Sequence, residues 1–154
     1  MTQRQPEIRG FKHVFTTLGV TYIALASSWI VRGPVVLRDF AVPERVFAEP
    51  VFGDFFLFFY QYMAFGGVTQ VLLGRVTRGL RAQTLVASVY AVANVLAALR
   101  DLSTSDSRFG SRLYHGDATL LFVVVDVAIA LAYGTLAVAG LRRLRVGEGA
   151  TARG

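Results

Sequence analysis

The sequence predicts an all-α integral membrane protein, a bundle of four transmembrane helices with both termini cytoplasmic. Three observations predict it. Apolar residues fall in four blocks of about twenty, the length that crosses ~30 Å of hydrocarbon at ~1.5 Å per residue. Only 17% of the 154 residues are charged while 54% are hydrophobic, against roughly 25% charged in an ordinary soluble domain. The basic residues flank the apolar blocks instead of interrupting them, and the mean hydropathy is +0.51.

The first block, 11–31, opens after Arg4 and Arg9 and ends at Trp29-Ile30-Val31, where a tryptophan suits the membrane interface. Its small-x-small run Ala24-Leu25-Ala26 resembles a signal-peptide cleavage site. The apolar run continues past that point, so an uncleaved helix is the preferred reading. The second block, 51–74, is rich in phenylalanine in its first half and carries Gly66-Gly67 with Thr69 and Gln70, a thin spot suited to close packing. The third, 80–99, places Ala87, Ala91, Asn94 and Ala98 on one face. The fourth, 117–140, answers with Asp126, Ala130, Tyr133 and Ala137. None of the blocks alternates as a barrel strand would. Residues 1–145 thus form one transmembrane domain, and 146–154 reads as a disordered tail.

The connections set the topology. Arg4, Arg9 and Lys12, then Arg75, Arg78 and Arg81, then Arg142, Arg143, Arg145 and Arg153 lie on one side. The other side holds Arg32, Arg38, Arg45, Arg100, Arg108 and Arg112, mixed with acids. The excess of Lys and Arg in short segments marks the cytoplasmic face, which puts a multi-pass protein in the plasma (inner) membrane. The first loop, 32–50, is broken by Pro34 and Pro43 and ends at Pro50, yet carries Val35, Val36, Leu37, Phe40 and Val42. It is either a segment lying on the outer surface or an extended strap over the helix ends. The third loop, 100–116, is polar and rich in Ser and Gly.

Composition also excludes. With no cysteine and only His13 and His115, thiol chemistry, iron–sulfur clusters and Cys-based zinc sites are absent, and no metal or cofactor is implied. The net charge of +6 would suggest nucleic acid in a soluble chain. Here it is assigned to topology and to membrane lipids, with no nucleic-acid partner. No P-loop, GxSxG, HExxH or dinucleotide fingerprint occurs.

Asp126 is the most informative single residue, since a carboxylate in mid-span costs at least ~2.5–3.5 kcal/mol. It is expected to face the bundle interior, neutral or partnered. Counted by depth, Gln61, Asn94 and Tyr22 form a buried polar layer with it. A second group, Asp54, Arg100, Asp101, His115 and Asp117, gathers near the outer surface, where an acid–Arg–His cluster could serve acid–base chemistry or simply anchor helix ends. The aromatic run from Phe52 to Tyr62 could line a site for a flat hydrophobic molecule or face lipid.

The Pro-containing outer loop (RGPVVL), the Gly-bearing second helix with its Arg-rich turn (GRVTRGLRA) and the acidic exit from the third helix (ALRDL) together resemble the BphX-like family of small four-helix bacterial membrane proteins. That resemblance implies a four-span fold and no established activity, and Asp126 departs from the family pattern. The expected role is an accessory or scaffolding subunit, in a homo-oligomer or larger membrane complex, or a binder of a lipid-like molecule. A proton-coupled transporter or channel component using Asp126 is the alternative, and a membrane enzyme on a lipophilic substrate the third.

Overall fold

A computed structural model describes the backbone of residues 6–40, 42–104 and 117–151, with side chains within 6–40, 42–103 and 119–146. Five α-helices and one 3-10 helix follow in order: α1 (Phe11–Arg32), the 3-10 helix (Pro34–Phe40), α2 (Glu44–Phe47), α3 (Pro50–Val76), α4 (Leu80–Thr104) and α5 (Asp117–Thr151). Four of them, α1, α3, α4 and α5, are long and apolar enough to cross a membrane. In α3, α4 and α5 the exposed side chains are mostly Val, Leu and Phe, as expected where lipid is the surrounding solvent. Among the described residues there is no strand.

The helices pack as two tight pairs, α1 along α3 and α4 along α5. What tightens the first pair is a reciprocal glycine contact. A Cβ added at Gly19 would stand 2.6 Å from the Gly67 carbonyl oxygen, and one added at Gly67 would stand 2.6 Å from that of Gly19. Only a residue without a side chain lets the two backbones approach so closely. The second pair uses the alanine stripes predicted for these helices: Ala87 and Ala98 on α4 and Ala130 and Ala137 on α5 are buried. Nearer the chain ends, Gly140 lies against Thr84 and Ile8.

One apolar cluster joins the two pairs, and a second seats the first loop on α1 and α3. At the end carrying both described chain ends, Ile8, Phe11 and Phe15 pack with Leu80, Ala87, Tyr133, Leu136 and Ala137. At the opposite end the first loop folds down as a cap. Val36, Leu37 and Val42 are buried with Ala26, Phe56 and Tyr60, and Phe40 reaches across to Phe122 of α5 at 5.3 Å between ring centroids. The loop is helical where one of the two expected forms was extended, and its apolar residues are buried against α1 and α3. Arg32 holds it at Asp39 (2.7 Å) and Arg38 pairs with Glu44.

Two boundaries differ from the sequence reading. α4 runs on to Thr104, past the expected stop at 99, and α5 runs to Thr151 where a disordered tail from 146 was expected. Arg142, Arg143 and Arg145 are good helix formers, and Arg143 is tied by its Nη1, which donates to the Glu7 carbonyl at 2.8 Å.

Candidate functional site

The interior polar groups converge where the two pairs meet. Each long helix contributes one residue: Phe15 from α1, Gln70 from α3, Tyr90 from α4 and Tyr133 from α5. Tyr133 is fully buried, and its hydroxyl donates to Gln70 Oε1 at 2.8 Å. Its ring lies 4.8 Å from that of Phe15 and 5.2 Å from that of Tyr90, measured between centroids. Phe15 completes the triangle, 5.2 Å from Tyr90 with the rings edge to face, a favoured aromatic geometry. A buried amide and a buried phenol thus bond one another across the interface between the two pairs, where an unmade bond would be costly.

Asp126 lies seven residues from Tyr133 toward the capped end of α5, on the same face and ~10 Å away along the axis. It is half-buried. Tyr22 of α1, also half-buried, is within electrostatic range of Asp126 and of Tyr90, and Tyr133 is within range of Tyr22. Farther out, Arg100 and Asp101 act on Asp126 in the same way. Asp126 and Tyr133 thus share one face of α5, with the Tyr133–Gln70 bond at its inner end.

The predicted layer of Tyr22, Gln61, Asn94 and Asp126 is assembled only in part. Tyr22 and Asp126 are both half-buried and within electrostatic range of one another. Asn94 is buried, but its Nδ2 donates to the Tyr90 carbonyl of its own helix at 2.8 Å. Gln61 is exposed and stands outside the layer. Its depth matches that of Asp126, but its azimuth does not: the buried stripe of α3 runs through Phe56, Tyr60, Gly67, Gln70 and Gly74, and residue 61 is turned ~100° from residue 60. Gln70 takes the interior role. Its signal in the sequence was its place between Gly67 and Gly74, three and four residues away on the small-residue face.

Of the outer group, Arg100 donates from both Nε and Nη2 to Asp101 Oδ1, at 2.9 and 2.7 Å. Asp54 is exposed on α3, on the same side as Gln61. His115 lies outside the described residues, and Asp117 opens α5 with its side chain outside them. Among the described residues no three His, Asp or Glu side chains stand close enough to hold a metal ion.

The remaining interior polar side chains serve the backbone. Gln83 accepts from the Ile8 N–H at 2.7 Å and donates to the Thr77 carbonyl at 3.1 Å, so one amide ties the N-terminal segment to the α3–α4 turn. Thr84 and Ser88 donate to the carbonyls four residues back, the usual refuge of hydroxyls in apolar helices. Thr16 Oγ1 is buried without a bond partner, beside Gly74.

No protein-family model, curated protein or solved structure matches the chain.

Proposed function

We propose that the chain is a multi-pass protein of the plasma (inner) membrane, both termini cytoplasmic, acting as an accessory or scaffolding subunit. The observation that carries this is the use of the interior. Gln70, Gln83, Thr84, Ser88 and Asn94 are each engaged in a bond that holds a helix or joins two. The interior is built to hold four helices together. The contact surface is the opposite face of α3, where Phe55, Phe58, Phe59, Tyr62 and Phe65 are each more than half exposed. Aromatic residues on a span supply large rigid contact area for a neighbouring subunit, or for a lipid-like molecule held between subunits. The layout likeness to BphX-like proteins belongs to the same proposal and adds no residue to it.

Extraction into polymer-bounded native nanodiscs tests this directly. A homo-oligomer or a co-purifying membrane protein, lost when Phe55, Phe58 and Tyr62 are replaced together by leucine, supports it. A lone monomer in native discs contradicts it.

A second reading, proton-coupled transport, draws on the half-buried carboxyl of Asp126 within the α5 span. It predicts that Asp126→Asn abolishes a pH-dependent flux in proteoliposomes while leaving expression unchanged. An unaltered flux, or none in the parent protein, rules it out.

A further inference from the structure

At the end of the bundle opposite the cap, basic residues are concentrated. The start of α1, the α3–α4 turn and the last apolar turns of α5 meet there. The meeting is fixed by three contacts: Ile8 N–H to Gln83, Arg143 to the Glu7 carbonyl, and Ile8 against Gly140. Among the described side chains Glu7 is the acid at this end, and it is already shared, with Arg78 at 3.7 Å from its carboxylate. The start of α1 and the end of α3 approach closely here, the Lys12 carbonyl lying 3.3 Å from where a Cβ on Gly74, the neighbour of Arg75, would be. Lys12 and Arg75 are exposed, as are Arg9, Arg142 and Arg145. No ion pair is made by Lys12 or Arg75 within the described chain. Cations gathered at one end of a bundle repel one another, and an anion bound among them removes that cost.

We propose that this end is a binding site for the phosphate of anionic phospholipids, centred on Lys12 and Arg75 and rimmed by Arg9, Arg142 and Arg145. The inference rests on the bilayer placement proposed above, and independently of the accessory role. Three features favour lipid. The cations lie within about a turn of the ends of the apolar spans, the depth at which their long side chains reach headgroups. Fifteen of the sixteen basic residues are arginine, whose planar fork matches phosphate oxygens two at a time. At the capped end three of the four described basic residues are instead matched by acids, Arg32 with Asp39, Arg38 with Glu44 and Arg100 with Asp101.

The test reconstitutes the full chain in nanodiscs of neutral phosphatidylcholine, or the same lipid with phosphatidylglycerol, and reads the unfolding midpoint and the retention of anionic lipid. A higher midpoint and retained lipid in the anionic discs are expected. At ~1 kcal/mol per cation near the surface, Lys12→Gln with Arg75→Gln weakens lipid retention roughly thirtyfold. Arg45→Gln, at the capped end, leaves it unchanged. Equal midpoints in both discs, or full retention by the double variant, overturns the site. Equal stabilisation of the chain in neutral discs by inorganic phosphate assigns it to free phosphate and overturns the lipid source. Duplex DNA that binds more tightly than anionic discs overturns it in favour of nucleic acid. A chain that enters neither disc overturns the bilayer placement and the site with it.

Discussion

Gly66 and Gly67 are neighbours on α3, yet they predict opposite outcomes on substitution by alanine. A Cβ at Gly67 meets the Gly19 carbonyl oxygen at 2.6 Å, Ile23 Cγ1 at 2.8 Å and the Ile23 nitrogen at 3.0 Å, whereas one at Gly66 meets nothing within 4 Å. Two of the three obstacles are backbone atoms of a helix, which cannot rotate aside. Ordinary contact begins at 3.4 Å, so α1 and α3 must separate by about 0.8 Å. A gap of that size forfeits roughly a quarter to a half of each dispersion contact along the seam. Gly67→Ala is therefore expected to cost ~1–3 kcal/mol, while Gly66→Ala is neutral or gains up to ~1 kcal/mol of helix propensity. The single tryptophan is well placed as a probe. Trp29 of α1 packs on Tyr60 of α3 at 4.8 Å and on Phe40 of the cap at 5.3 Å, so its emission reports the contact in question. Denaturant titration in mild detergent, followed at Trp29, should show Gly67→Ala alone unfolding earlier. Adding Gly19→Ala to it should cost less than the sum of the singles, because the first substitution has opened the same gap. Equal midpoints for the two glycine variants would refute the close backbone crossing.

Other consequences follow from the seam between the pairs. Tyr133→Phe removes the donor to Gln70 and should cost ~0.6 kcal/mol, up to ~1.7 kcal/mol, in a bilayer; a double-mutant cycle with Gln70→Met should recover that coupling, and a coupling of zero would mean the bond is not made. Thr16→Val, which replaces a buried hydroxyl lacking a partner by a methyl of the same shape, should stabilise by ~1 kcal/mol in the same unfolding assay; a loss of stability would mean the hydroxyl is bonded. Asp126→Asn and Asn94→Leu should be additive within ~0.5 kcal/mol, since Asn94 bonds its own helix and not Asp126. Strong coupling would restore the polar layer as first drawn from depth alone.

The four long helices were legible because bilayer thickness imposes a length on apolar runs that few other constraints produce. The α4–α5 seam was legible too, since alanine at helical spacing leaves a stripe in the sequence. The α1–α3 seam was less so: Gly19 is one small residue among bulky ones, and only its partner Gly67 gives it meaning. The polar centre failed in a specific way. Depth can be counted from a span's end, but rotation about the axis depends on which face packs, and that was obscured on α3 by aromatics on every side. Gln61 and Gln70 were both visible, and the buried glycine face selects Gln70. The cap was half legible, as apolar residues between prolines signalled contact with something, while the 3-10 helix and the reach of Phe40 to Phe122 depend on the assembled bundle. The acid–Arg–His grouping depended on His115 and the Asp117 side chain, which lie outside the described residues.

The most direct test is topological. Reporter tags that are active on only one side of the membrane, fused in turn to each terminus and to the first loop between Glu44 and Glu49, read the number and direction of the crossings. Four spans with arginine-rich ends predict both termini reporting from the cytoplasm and the loop from the opposite face. Termini on opposite faces, or a purified chain that stays monodisperse in water without detergent, would contradict it.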